Sequence, residues 1–431
     1  MMFDRAKVME LAEHPHRDAS RSTALEGVKV VDFTHFLAGP LATMTLGDFG
    51  ADVIKIEPPG RGEDFRYYPP QDPAVPAQGG PFLWSNRNKR SVALDIKTAM
   101  GRQTALDLIA QADVLVENFS TGVMDRFKLS YNDCAAVNPR LIYCSVSAYS
   151  REGPYADRLG FDPVAQAESG FISMNGYPDR PGIRSGAAVM DIATSMMACN
   201  AILLALFSRE RTGKGQQLEV ALFDTAILMT SFASMQQLLT GRDPQRHGNT
   251  SPDTCPSGVF EASDRPFYIN CGNDKIFQRL FTEVVDRPEI ANHPEYARSA
   301  DRLHRRDYLF SILNEEFAAH PWAFWQQRLR AASVPHGEVR TLGEALTSGE
   351  VRSRGLVTRI PHPVLGWIPN VNTPIRLGDC PAVEPKAAPA VGQHTDEVLR
   401  EVLKYDDARV AELRQQGAFG GLTPRQIGDE K

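Results

Sequence analysis

From Leu25 onward the chain alternates short β-rich runs with longer segments of helical character. "VKVVDFT", "ADVIKIE", "SVALDI", "DVLVEN" and "LIYCSVSAY" are the short runs. "LAGPLATMTLGDFG", closed by Gly50, and "TAMGRQTALDLIAQA", starting near the cap-like Thr98, read as helices between them. This alternation predicts an α/β fold with a doubly wound, Rossmann-like parallel sheet. Ligands of such sheets bind at the carboxyl ends of the strands. Those ends carry His35, Glu57, Asn118 and Tyr149.

Further on, "RSGAAVMDIATSMMACNAILLALF" sets Gly186, Ala187 and Ala188 ahead of one carboxylate, Asp191, and then a long apolar helix pattern. Locally, Asp191 reads as a helix N-cap, since Asp is among the preferred caps. "RTGKGQQLEVALFDTA" reads as turn, strand and a helix capped by Asp224. Between about Gly248 and Pro335 the texture changes. "SGVFEASDRPFYINCG" suggests a hairpin turning at Ser263–Arg265, and three helical segments rich in charge and aromatics follow. The Pro-rich stretch from Ile360 to Gln393 reads as an extended connector, and "HTDEVLREVLKY" as a helix returning to the first domain. The expected organisation is a loose, partly helical extension (1–24), a large sheet domain (25–225), a linker helix (226–250), a smaller α+β domain (251–340), and a returning connector with C-terminal helices (341–431).

Composition narrows the function. At 431 residues, two domains are expected. A hydrophobic content of 42%, a charged content of 23% and a net charge of −6 describe a globular protein without the basic face that nucleic acid needs. The six cysteines are scattered with no C-x-x-C pair, which argues against a disulfide framework or a zinc site. The opening residues are charged, and the longest apolar run, Ala198–Phe207, is short for a bilayer. The expectation is a cytoplasmic protein with no membrane partner. G-x-G-x-x-G, the G-x-x-x-x-G-K-[ST] phosphate loop, G-x-S-x-G and H-E-x-x-H are all missing. Neither a nicotinamide cofactor nor a metal is expected.

What the composition leaves open, a resemblance fills. "LEGVKVVDFTHFLAGPLATMTLGDFGADVIKIEPP", "NKRSVALDIKTAMGR", "ADVLVENFSTGVMDR", "NPRLIYCSVSAYSREGPY", "GFDPVAQAESG", "RTGKGQQLEVALFDTA" and "GQHTDEVL" run in order along the chain. Together they resemble the class III coenzyme A transferases, the superfamily of formyl-CoA transferase, carnitine CoA-transferase and α-methylacyl-CoA racemase. The resemblance puts the catalytic carboxylate on Asp191, with small neighbours leaving room for a thioester carbonyl and the helix N-terminus favouring the ionised acid. It assigns His35, Asp162 and Gly186 to the substrate side. Leu94, Lys97, Asn118, Phe119 and Arg126 match CoA contacts, with Lys97 and Arg126 suited to phosphates.

The implied partners are an acyl-CoA and a free carboxylic acid, with no cofactor beyond the CoA thioester that is itself substrate, in an interlocked homodimer. Asp191 would pass through an acyl anhydride and an aspartyl–CoA thioester. The alternatives are an acyl-CoA racemase and a catalytically silent acyl-CoA binder. Against the racemase, Phe161 stands where that branch carries the histidine of its G-H-D motif, and phenylalanine cannot shuttle a proton. Leu37 and the stretch "HGNTSPDTCPSGVF" depart from the glutamine and the glycine run of formyl-CoA transferase. Arg184 and His247 favour an acceptor with a second carboxylate.

Overall fold

In the computed structural model of the chain, the short runs are strands of one sheet. They are β1 (Lys29–Asp32), β2 (Asp52–Glu57), β3 (Lys89–Ala93), β4 (Val114–Glu117), β5 (Ile142–Ser147) and β6 (Gln216–Ala221). The order is β3-β2-β1-β4-β5-β6 and every pairing is parallel. This is the doubly wound order in which the chain reverses direction across the sheet between β1 and β4. The structure describes residues 3–18 and 20–420. Residues 1, 2 and 19 of the expected extension, and 421–431 of the expected C-terminal segment, lie outside the described residues.

Apolar side chains on both faces explain why the strands read as continuous runs. Val31, Ile54, Leu115 and Tyr143 point to one face and pack with Ala105, Leu108 and Ile109 of helix Ala99–Ile109 and with Val398 and Leu399. Val30, Val53, Val114, Ile142 and Cys144 point to the other. There they meet α1 (Ala38–Asp48) and the long helix α2 (Val189–Thr212). β6, at an edge, alternates half-buried and exposed positions until the buried Ala221. Met190, Thr194, Ala198, Ile202 and Ala205 form the buried stripe of α2. The apolar run understates this helix: at 24 residues it is long and apolar enough, by length and composition alone, to cross a membrane, yet it packs along α1, β5 and β6.

The chain divides into two units. The first holds the residues up to Ser169, Ser185–Thr230, and those from Gly349 on; the second holds Gly170–Arg184 and Ser231–Ser348. Within the first, the extension is tied down rather than loose. His14 N donates to Arg359 O, Arg359 N to Ala12 O, and the Arg359 guanidinium pairs with Glu13. The expected connector contains a hairpin, β10 (Val357–His362) against β11 (Gly366–Val371), while Thr395–Glu401 forms a helix packed on β3. Asp224 lies inside helix Leu222–Leu228 and does not cap it; Ala221 occupies the cap. In the second unit, β7 (Ser257–Glu261), β8 (Pro266–Asn270) and β9 (His336–Glu338) form an antiparallel sheet. The β7–β8 turn closes with Ala262 N donating to Arg265 O, and several short helical turns accompany the longer helices Arg306–Ala318 and Trp322–Ala331.

Charge is buried in the first unit too. Lys89 Nζ lies 2.9 Å from Asp32 Oδ2, with both side chains fully enclosed, and donates to Pro40 O and Asn86 Oδ1 at 2.8 Å. Burial alone would raise the Asp32 carboxyl, but Lys89 and Lys55 overcome it and hold it below the carboxylate range. Burial pulls Lys89 down to about 8 against the attraction of Asp32. Removing one member of such a pair strands the other in a dry interior. We expect Lys89→Met to cost about 3–5 kcal/mol in urea denaturation. A loss below about 1 kcal/mol would mean that Lys55 alone can neutralise Asp32.

Candidate active site

The loop after β1 lies where β1 and β4 part company, and its backbone is held almost atom by atom. Asp32 Oδ1 accepts from Thr34 N at 2.8 Å, and Lys55 Nζ donates to Thr34 O at 2.6 Å. Asn118, just past β4, accepts from His35 N at 2.9 Å and donates to His35 O at 2.8 Å. Glu63 Oε2 accepts from Phe36 N at 2.7 Å and its other oxygen pairs with Lys55 at 2.8 Å. Phe36 needs this hold, because its φ of 62° lies in the left-handed region that an aromatic residue rarely occupies. The His35 ring touches Phe119, with centroids 5.3 Å apart. Burial, and then the charge of Lys55, push the imidazole down to about 4, so it is neutral at physiological pH. Sequence reasoning named His35, Asn118 and Phe119 but missed Lys55 and Glu63, whose signal is charge inside an otherwise apolar strand and just beyond it.

Asp191 occupies the third position of α2, not its cap. The cap residue is Ala188, which has no side-chain oxygen to offer. The free N–H groups go instead to Asp162, whose Oδ2 accepts from Met190 N at 2.7 Å and Asp191 N at 3.2 Å. Asp162 opens α3 (Asp162–Glu168) and is 4% exposed; its Oδ1 accepts from Gln166, whose own oxygen accepts from Ser185 N at 2.8 Å. One buried carboxylate thus caps a helix from 29 residues away. It is a support beneath Asp191 rather than a surface group.

This arrangement reverses the sequence expectation for ionisation. Burial, and then repulsion from Asp162, raise the Asp191 carboxyl to about 7. Ahead of it in the chain, Gly186 and Ala187 are exposed, and a methyl group built on Gly186 would meet no atom within 4 Å. Phe161, 57% exposed and next to Asp162, meets Phe36 edge-on at 5.6 Å, which joins the His35 loop to the segment supporting Asp191.

The remaining expected contacts divide. Lys97 follows β3 and Arg126 ends a helical turn, Val123–Arg126, after β4; both are exposed, and neither is ion-paired among the described residues. Both therefore lie beyond the carboxyl ends of their strands. Leu94, at 2% exposure, has its side chain in the core with Val92 and Leu108, which leaves its backbone for a ligand. His247 belongs to the second unit, beside Arg306 at 3.0 Å, and burial and that guanidinium lower its pKa. Among the described residues no cluster of three or more His, Cys, Asp or Glu could hold a metal ion.

A parallel sheet with an imidazole and exposed cations on the loops beyond its strands, and a largely buried acid at the start of a long helix, is an α/β arrangement with its chemistry-bearing side chains at the carboxyl ends of the strands. The comparisons make this specific. The family described as CoA-transferase family III matches residues 25–395. The chain is 34% identical over 403 residues to succinyl-CoA:glutarate CoA-transferase of Homo sapiens, covering 94% of this chain and 91% of that protein. It is 38% identical over 335 residues to acetyl-CoA:oxalate CoA-transferase of Acetobacter aceti, covering 78% and 85%. A crystal structure of a CAIB/BAIF family protein from Brucella suis superposes with a TM-score of 0.78 at 35% identity, covering 89% of this chain and 100% of that one. The chain belongs to CoA-transferase family III and is a CoA-transferase.

An acid whose pKa rises from 3.8 to about 7 on folding keeps a proton that the unfolded chain releases. Its burial therefore costs stability increasingly as pH climbs through that window. We expect Asp191→Asn to melt above wild type at about pH 8, with the gain shrinking as pH is lowered. Equal melting temperatures throughout would contradict the raised pKa. Asp162→Asn removes the repelling charge while keeping an oxygen for the N–H groups, so the rise of activity with pH should move to lower pH.

Proposed function

We propose that this enzyme moves CoA from an acyl-CoA to a free carboxylic acid with Asp191 as nucleophile. The observation that carries the reading is the placement of Asp191: a largely buried carboxyl in the first turn of a long helix, over the Asp162 that caps it, preceded by the exposed small residues Gly186 and Ala187. Its carboxylate attacks the thioester carbonyl, the C–S bond breaks, and a mixed anhydride and CoA thiolate form. The thiolate then attacks the aspartyl carbonyl and expels the first acid, leaving an aspartyl–CoA thioester. The acceptor carboxylate attacks this thioester to give a second anhydride, and the thiolate takes the new acyl group and frees Asp191. The energy of the thioester is conserved at each step, so no nucleotide, metal or other cofactor is required.

In this reading His35 faces the reacting carbonyl, Asp162 holds the helix, and Asn118, whose amide is bonded to the His35 peptide, stands with the CoA-binding residues. Phe119, Lys97, Arg126 and the backbone at Leu94 receive CoA. The acceptor is a dicarboxylate, supported by relatives named for glutarate and oxalate. Phe161 speaks against a racemase, since it offers no proton.

The working form is a homodimer. The outer side of α2 exposes Leu204 at 70% and Phe207 at 65%, and the adjacent helix Leu222–Leu228 exposes Leu228 at 63%, an apolar surface suited to a second copy. All six cysteines are free thiols, which supports a reducing, cytoplasmic setting.

Trapping tests the reading. Hydroxylamine added with acyl-CoA should convert Asp191 to a hydroxamate and inactivate the enzyme, with the change mapped to its peptide by mass spectrometry. Without acyl-CoA the free carboxylate should be untouched. Asp191→Ala should lose transfer and labelling together while still binding CoA. Labelling elsewhere, or activity retained under the reagent during turnover, would exclude the covalent route.

A milder effect is expected at the CoA positions. Lys97→Ala and Arg126→Ala should each raise KM for acyl-CoA about two- to fivefold, the scale of exposed charge contacts, with little change in kcat. A loss confined to kcat would remove both from the phosphate contacts.

A further inference from the structure

At the opposite end of the sheet from the His35 loop, the extension, the start of β3 and the segment after β11 enclose a cleft of about 260 Å³. α1 runs from one end to the other, about 16 Å for its 11 residues. Five arginines line the cleft, against two carboxylates, Asp18 and Asp48. Both acids are already engaged. Asp48 accepts from Arg87 through both oxygens, at 2.9 and 2.5 Å, and from Asn88 at 2.7 Å. Asp18 accepts from Ser20 N and Oγ.

Three of the other arginines are held by neutral carbonyls, which orient them without cancelling their charge. Arg17 donates to Arg21 O, Arg21 to Gly378 O, and Arg376 to Arg354 O. Among the described residues the Arg354 guanidinium has no hydrogen bond or ion pair. Five guanidinium groups against two carboxylates leave positive charge in excess along the lining.

We propose that this cleft binds a compact, multiply charged oxyanion, a phosphate or a polycarboxylate, through the spare donors of Arg354, Arg376, Arg17 and Arg21. Guanidinium groups donate in pairs to such oxygens. The volume lies below that of ordinary drug-sized pockets, which suits a small anion rather than a nucleotide. The occupant would join the extension, the segment after β11 and the end of α1, three pieces that otherwise meet here across like charges.

The test uses the full-length enzyme without acyl-CoA. Inorganic phosphate and citrate are titrated separately against sodium chloride of matched ionic strength, reading melting temperature and heat of binding. A saturable response to either is expected, and the tighter of the two identifies the occupant as phosphate-like or polycarboxylate-like. Arg354→Ala combined with Arg376→Ala should weaken it about tenfold or more. Both side chains are exposed, so the double variant should fold and keep wild-type transferase activity without the anion. No response beyond that of chloride, or a response unchanged in the double variant, would overturn the proposal.

Discussion

Helix α2 starts without a cap of its own, and the site depends on how that deficit is met. The first-turn N–H groups of a helix must find acceptors, and Ala188 offers none. Asp162 supplies one oxygen for two of them. The same charge that satisfies these groups stands close enough to Asp191 to oppose its ionisation. Capping from a distance thus does two things that a local cap could not do together. It relieves Asp191 of capping the helix, and, after burial, the charge of Asp162 helps keep the proton affinity of Asp191 high. A carboxylate of higher proton affinity is a stronger nucleophile, and one titrating near neutrality is still substantially ionised under ordinary conditions.

A second constraint acts beneath the His35 loop. Phe36 adopts a backbone conformation that costs on the order of 1 kcal/mol or more, and such strain persists only where the surroundings over-determine it. Here the determinants are side chains of buried ions: Asp32 and Lys55 on Thr34, Glu63 on Phe36. An apolar layer could not do this, because it has no directional bond to offer three successive peptide groups. Burial raises Glu63, and Lys55 beside it opposes that rise, so the pair is costly to enclose but sets one loop geometry. The imidazole carried by that loop is left neutral, able to donate or accept a hydrogen bond without competing with Asp191 for a proton.

The parallel sheet was legible because strands covered on both faces leave continuous apolar runs, and the start signal at Thr98 and the stop signal at Gly50 are local. His35 and Asn118 were legible for the same reason: a strand end is a local feature. Asp191 could be singled out from its small neighbours, but not its environment, since its partner lies 29 residues earlier in a different helix. Leu94 and Lys97 show the limit of position alone. They are three residues apart at one strand end, yet one is core and the other solvent-exposed, a division set by the packing of Leu108 and Val92. The docking of the extension on Arg359 joins residues some 346 positions apart, and nothing in either segment announces the other.

Helix α2 also shows why hydropathy misleads in both directions. Its apolar run by itself looks too short for a bilayer, while the whole helix passes a test of length and composition. Neither measure asks where the apolar side chains point. One stripe, from Met190 to Ala205, is consumed by α1 and the sheet. The opposite side keeps Leu204 and Phe207 open beside Leu228. A helix apolar on two sides needs two partners, and the sheet supplies only one. Asp191 lies at its start and Arg209 near its end. Arg209 is 6% exposed and pairs with Asp113 at 2.8 Å, so the helix is anchored by charge at the sheet's other end. Both ends of α2 are therefore tied by polar groups of the first unit, while Leu204 and Phe207 between them stay uncovered, in the same helix whose first turn carries the proposed nucleophile.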